Sequence, residues 1–360
     1  MQHSVRLSLS LTGAAALALT NTPIQPASAQ EDGSAADLGV MEINLKDAVQ
    51  FNWGFQGALQ GAGTPNQAGI GAFLPIAVGE NSVWFIDALA NANFADFDGY
   101  SSIINTEVAG TTISTSTRLG YRWLNGDRSW MYGINAGYDS RPMNTGDADS
   151  GVTLYDKESV FFQQVAAGLE AVSDTWNFNA YALIPVGDTE QRLNSRYLGG
   201  ALDTYGLDVG YLITPDLNAS VGYYYQSGDV GEADGSGVLA QLSYQISSGL
   251  TLGVDLSYDE AFDTKVSGNI EYRFGSNSSA TVSEKKAWDK PTILGLSESV
   301  KHRNIRVHDL PLGLVCHLSP DGTNPYYMVS SSEAGIGIIK SWWHCNPGAP
   351  NATRHGRETA

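Results

Sequence analysis

The 360 residues include 38 acidic and 20 basic side chains, a formal net charge of −18, yet only 16% of positions are charged. An acidic chain offers no basic patch to neutralise phosphates, which argues against nucleic acid as a partner. The 40 glycines, 17 tyrosines and 8 tryptophans suit many strands whose outer face meets something apolar, and the length allows one large β domain or two smaller ones.

The amino terminus sets the compartment. Arg6 precedes a short apolar run from Leu7 to Leu19, and Ala27-Ser28-Ala29 is a small-x-small site. This pattern predicts a secretory signal peptide over 1–29 with cleavage before Gln30. No later stretch supplies the ~18 consecutive apolar residues that a spanning helix needs. Residues 30–50 are polar and rich in Gly, Ala and Asp, and they read as a mobile or weakly helical lead-in.

From Phe51 to Phe274 apolar and polar residues alternate. A period of two gives a strand one apolar face and one wet face. Twelve segments carry it: 51–60, 68–77, 82–94, 114–123, 130–138, 161–172, 176–184, 204–213, 217–226, 237–246, 250–258 and 265–274. Each is close to the ~9–11 residues that cross a bilayer as a tilted strand. The clearest pair is 117–123 and 130–138, where Asn125-Gly126 is expected to supply the positive φ of a tight hairpin.

The connections sort by length. Short turns at 78–81, 124–129, 173–175, 214–216 and 247–249 alternate with longer links at 95–113, 139–160, 185–203 and 227–236, apart from a brief link at 259–264. Short turns at one end and long loops at the other are the pattern of an outer-membrane barrel. The expected fold is therefore all-β: a transmembrane antiparallel β-barrel of about 12 strands over 51–275, closed between its first and last strands. Closure removes an edge that lipid cannot satisfy.

The alternation also assigns faces. Val221, Tyr223, Tyr225, Val254, Leu256, Tyr258, Val266, Ile270, Tyr272 and Phe274 point outward, and Trp84, Trp123, Trp130 and Trp176 fall near strand ends, where interfacial aromatic girdles belong. Asp87, Arg118, Arg122, Glu170, Asp208, Asp255, Glu271 and Arg273 fall on the lumen face. A charge facing lipid at the midplane costs ~2–4 kcal/mol, so this sorting carries weight. Arg118→Glu or Arg122→Glu is therefore expected to leave insertion intact and to change lumen electrostatics, and failure of either to fold in detergent would mean that these residues do not freely line a lumen.

Several stretches resemble the β-domain of inverse autotransporters, the intimin and invasin group of adhesins. They are Gly69 to Pro75, Ser116 to Trp123, Trp130 to Asp139, Val165 to Glu170, Tyr205 to Tyr211, Leu250 to Asp255 and Ile270 to Gly275. The resemblance covers roughly Leu45 to Gly275 and includes order and spacing as well as strand texture. It implies a twelve-stranded anchor that passes a C-terminal passenger outward through its lumen. It also implies a plug helix and an extended linker after the last strand. Here the plug and linker segment is 276–306, with Ser283 to Lys290 as the plug and Ser297 to Arg306 similar to the linker. The long immunoglobulin-like arrays of the family have no counterpart in 307–360, and no peptidoglycan-binding module is visible before Phe51.

The C-terminal tail, 307–360, differs in composition from the barrel and shows no sandwich-like array of strands. It holds both cysteines, Cys316 and Cys345, which in an oxidising compartment are expected to form one disulfide. A metal site from Cys316-His317 with His344-Cys345 is disfavoured, because no zinc-ligand spacing is present. Asp147, Asp149 and Asp156 share one long loop without calcium-loop spacing and read as a solvated acidic loop.

No cofactor is expected. Apart from His3 every histidine lies after the last strand, so the barrel lacks the base that an outer-membrane lipase or protease needs. The expected role is an anchor that exports its own tail. The alternatives are a passive pore or a docking barrel whose acidic loops meet an external partner. The expected surroundings are outer-membrane lipid and the barrel-assembly machinery, with the chain as a monomer.

Overall fold

In a computed structural model of the chain, the described residues are 44–95, 103–149, 151, 153–228, 230, 233–247, 249–275 and 290–312, with the backbone alone of 313–318, 325–330 and 337–339. The signal segment, residues 30–43 of the lead-in, the plug at 283–289, the side chain of Cys316 and all of Cys345 lie outside them.

Twelve strands close into an antiparallel barrel. They are β1 (Asn52–Leu59), β2 (Gln67–Val78), β3 (Ser82–Asn93), β5 (Thr112–Leu124), β6 (Trp130–Ala148), β7 (Ser159–Ser173), β8 (Trp176–Val186), β11 (Asp203–Thr214), β12 (Leu217–Ser227), β13 (Gly235–Ser247), β14 (Leu250–Asp259) and β15 (Asp263–Phe274). Closure is by β1 against β15, with Trp53 opposite Phe274 and Leu59 opposite Gly268. Short turns gather at one end and long links at the other. Both Asn52 and Phe274 lie at the short-turn end, so the chain enters and leaves the wall there.

Outside, the apolar positions form a continuous belt. Val221, Tyr223 and Tyr225 are exposed, whereas Tyr224 between them is fully buried. At the short-turn end Trp84, Tyr121, Trp123, Tyr132, Trp130, Phe178, Trp176 and Tyr211 touch ring to ring, with centroids 4.8–6.4 Å apart. This is the interfacial girdle expected of a lipid-facing barrel.

Three regions differ from the sequence reading. First, β6 runs on to Ala148, although the alternation stops at Tyr138. Its ladder with β7 continues to Asn144 opposite Ser159, so pairing rather than an apolar face sustains it, and β4 (Thr106–Ala109) adds to it from the link at 95–113. Second, the link at 185–203 contains β9 (Glu190–Arg192) and β10 (Tyr197–Ala201), which form a separate three-stranded sheet with β16 (Val307–Pro311). A partner more than a hundred residues away leaves no local pattern. Third, the tail holds β17 (Gly313–Leu318), β18 (Pro325–Ser330) and β19 (Gly337–Ile339) in a small antiparallel sheet. Its apolar runs are short and continuous, so the period of two never appears.

The hairpin at 125–129 also closes differently. Arg128 N–H bonds the Asn125 carbonyl, and the positive φ falls on Arg128 (58°) instead of the Asn-Gly pair. A turn of this length is built on a type I core followed by one left-handed residue. The Arg128 guanidinium is held by Asn81 Oδ1 and the Glu80 carbonyl, both at 2.9 Å.

The lead-in is not loose where it is described. Helix α1 (Leu45–Ala48), begun by Asn44 accepting from Lys46 N–H, buries Leu45, Ala48 and Val49 at the short-turn end. They meet Ile293 of a second short helix, α2 (Pro291–Leu294), together with Leu296, Val300, Phe73, Phe85 and Met131. A second apolar cluster at the long-loop end joins Val108, Met143, Val160, Phe162 and Leu193 to Ile305 and Val307. The chain between these clusters runs through the barrel.

Candidate functional site

Residues 295–306 form a thread along the lumen. A 3-10 turn at Gly295–Ser297 follows α2, and the chain then extends to β16 beyond the long loops. At the short-turn end the Ser297 carbonyl accepts from Asn52 Nδ2 (3.1 Å) and Arg273 Nη1 (3.2 Å). At the other end Val307 N–H donates to the Gly63 carbonyl (3.1 Å), and Leu202 N–H donates to the Arg306 carbonyl (3.0 Å). β16 then pairs with β10, from Val307 opposite Ala201 to Pro311 opposite Tyr197. The thread therefore crosses from the short-turn mouth to the long-loop mouth.

Arginines of the wall hold the thread's carbonyls. Arg122 donates to Glu298 O (2.6 Å) and Leu296 O (3.4 Å), Arg118 to His302 O (3.3 Å), and Arg141 to Ile305 O (2.7 Å) and Gly63 O (2.8 Å). Two of these arginines are fixed by wall carboxylates. Arg118 donates to both oxygens of Asp139 at 2.6 and 2.7 Å, and Arg122 donates to both oxygens of Glu170 at 2.7 and 3.0 Å. Planar bidentate pairs of this kind set position as well as charge. Arg122 also lies 4.5 Å over the Phe85 ring.

Aspartates of the wall hold the thread's cations. Asp87 accepts Val300 N–H (2.8 Å) and pairs with Arg303, whose Nη1 also reaches Ser116 Oγ (3.1 Å). His302 Nε2 lies 2.5 Å from Asp208 Oδ2, and its ring stacks on Tyr181 at 3.8 Å and 12°. Residues 302 and 303 thus reach β11 and β3, on opposite sides of the lumen. Arg306 reaches Gln226 Oε1 (2.9 Å) and Asp259 Oδ2 (3.5 Å) and stacks 4.2 Å over Tyr224. Asp259 also accepts from Tyr224 Oη (2.6 Å) and Gln226 Nε2 (3.1 Å).

The structure brings most of the lumen-assigned residues to this thread. Asp87, Arg118, Arg122 and Asp208 are buried against it, Glu170 orients Arg122, and Glu271 pairs with Arg273 (2.6 Å) beside Ser297. Asp255 is half-buried and accepts from Asn269 Nδ2 (3.2 Å), and the thread's His302 and Lys301 act on it through their charge. Arg118 and Arg122 do not face open space, contrary to the premise behind the reversal variants. Sequence reasoning missed Asp139, Arg141, Asp259, Tyr181 and Tyr224 as contacts, and His302, Arg303 and Arg306 as their targets. One signal was present: Lys301-His302-Arg303 and Arg306 form a basic run in an acidic chain.

The histidine argument also needs correction. The strands carry none, but the thread brings His302 inside the barrel and β16 places His308 at its mouth. His302 is engaged by Asp208 on its edge and Tyr181 on its face. Burial pushes His308 below its ordinary value, and burial raises Asp309, which accepts from the Asn105 N–H at 3.0 Å and from Asn105 Nδ2 at 3.1 Å. Asp147 lies on the far end of β6, not in a loop, and hydrogen bonds from Lys157 (2.7 Å) and Leu154 N–H (2.9 Å) hold it below the usual carboxylate range. Among the described residues no His, Cys, Asp and Glu group converges as a metal site.

The sequence matches no family model and no curated protein. Among solved structures, the chain is similar to one from a study of the in-meso crystallization of membrane proteins. That match has a TM-score of 0.51 and 13% identity, and it covers 72% of this chain and all of the other. The barrel is an outer-membrane fold. Looser likenesses include KdgM porin (TM-score 0.35, 9% identity, 62% of this chain and 99% of the other) and an outer-membrane channel from Pseudomonas putida F1 (0.38, 11%, 62% and 94%). A third is the outer-membrane phospholipase A of Escherichia coli (0.32, 13%, 63% and 93%). The last three scores are too low to carry an argument. The closed barrel, its outer apolar belt and its girdle place the chain in the outer membrane of a Gram-negative-type bacterium.

Proposed function

We propose that the barrel anchors the chain in the outer membrane and passes its own C-terminal tail outward through the lumen, as the resemblance to inverse-autotransporter β-domains implies. The observation that carries this reading is the thread. It starts at the short-turn mouth, which faces the periplasm in outer-membrane barrels, and ends among the long loops, which face outward. An open porin is disfavoured, because the thread's carbonyls and cations are bonded to the wall along its length. The reading itself calls on no catalytic step. The barrel-assembly machinery and lipid are the partners it requires, and a monomer suffices.

Labelling of intact cells tests the orientation. In a chain whose Cys316 and Cys345 are replaced by serine, Leu310→Cys on β16 should react with a membrane-impermeant maleimide. Lys46→Cys on α1 should react only after the outer membrane is opened. Labelling in the opposite order would overturn the reading.

A further inference from the structure

The wall's grip on the thread divides by chemistry. Arg118, Arg122, Arg141 and Arg273 bond carbonyls, which every residue of a passing chain supplies. The wall acids Asp139, Glu170 and Glu271 are already in ion pairs with wall arginines. Asp87, Asp208 and Asp259 are different: among the described residues, their ion pairs come only from Arg303, His302 and Arg306 of the thread, and the buried Lys265 of the wall acts on Asp259 through its charge without forming an ion pair. Carbonyl contacts are indifferent to sequence, whereas these three carboxylates depend on which residue stands opposite.

We infer that Asp87, Asp208 and Asp259 are a register stop, at which an outward-moving chain halts when its cations arrive. The inference rests on the export reading and names what ends the movement. A slip of one residue hands each wall arginine the next carbonyl, so the arginines do not oppose it. Because Lys301, His302 and Arg303 are consecutive, a slip by which the thread moves outward still offers Asp87 and Asp208 a basic side chain. Asp259 decides. Its partner Arg306 is flanked by Ile305 and Val307, so a slip either way sets an aliphatic side chain against a buried carboxylate. The same slip pulls Ile305 and Val307 out of the apolar cluster they share with Val160, Phe162 and Leu193. A second restraint is His302 itself, whose φ of 53° puts a kink at one defined residue. The Tyr224 ring under Arg306 and Gln226 beside it complete a socket shaped for guanidinium.

The register can be read downstream, where Leu198 of β10 lies opposite Leu310 of β16. Cα atoms so paired are within disulfide reach. In purified full-length protein lacking Cys316 and Cys345, Leu198→Cys with Leu310→Cys reports the resting register, and Leu198→Cys with Asp309→Cys or Pro311→Cys reports one-residue slips. Adding Arg306→Gln should lower the resting cross-link several-fold and raise a slipped one, while Arg306→Lys should retain most of it. Asp259→Asn, which changes charge with little change in shape, should act like Arg306→Gln and serves where that variant does not fold. Unchanged cross-linking in a folded Arg306→Gln or Asp259→Asn protein would overturn the inference. Because the measurement uses purified protein, a tail found on the wrong side of the membrane would sink the export reading by itself, without altering the cross-link pattern.

Discussion

Strands β1 to β7 and strands β12 to β15 follow the same alternation, yet their inward faces have different surroundings. On the first group Phe73, Phe85, Asp87, Arg118, Arg122 and Asp139 are almost wholly buried. On the second Asn218, Ser220, Gln241, Ser243, Thr251, Asp255 and Asn269 remain half-buried. The thread accounts for the difference: it packs against the first group and crosses to the second mainly at Arg306. A period of two tells which face a residue occupies, but it does not tell what fills the space behind that face.

The two halves should differ most at Arg122. Arg122→Glu sets a second carboxylate beside Glu170, removes the stack on Phe85 and frees two thread carbonyls. Breaking a buried pair costs ~3–5 kcal/mol. The variant should lose the folded, heat-modifiable band in detergent, the opposite of what an open lumen predicts. A folded band of normal stability would mean that the thread does not seal this side.

A smaller contrast compares one carboxylate from each half. Asp87→Ala leaves Arg303 buried without its anion and should lower stability by about 3 kcal/mol. Asp255→Ala, on the half-buried side, should cost only about 1 kcal/mol. Denaturant midpoints of the two variants in detergent measure the difference. Equal losses would show that the two halves are packed alike.

The smallest effect concerns the mouth, at His308. Burial holds its folded value below the ordinary 6.5, so an undocked β16 binds a proton that the docked strand does not. Docking should therefore weaken as pH falls through about 6.5. Asp309, raised by burial, acts the other way. Limited proteolysis between 307 and 312 should quicken modestly from pH 7.5 to 5.5, and His308→Gln should abolish the acceleration.

What the sequence revealed was the lipid side. Val221, Tyr223 and Tyr225 exposed around a buried Tyr224, the closure of β1 on β15, and the sorting of short and long connections all follow from a bilayer that imposes one periodic constraint on every strand. The inner side has no such uniform solvent. Its partner is a single stretch remote in sequence, so Arg303 opposite Asp87 and Arg306 opposite Asp259 carry no periodic signature. Asp139 was assigned to a loop because the alternation ends at Tyr138, although the β6–β7 ladder does not. The resemblance of Ser297 to Arg306 to a linker and the basic run at 301–306 point inward, and they name the segment without naming its contacts.

Delivery of the tail to the outside by the thread can be read in intact cells. An epitope tag placed after Ala360 is exposed to protease added to intact cells. The account predicts cleavage while the outer membrane is sealed and a periplasmic marker remains protected. A tag that is protected until the periplasm is opened would contradict it.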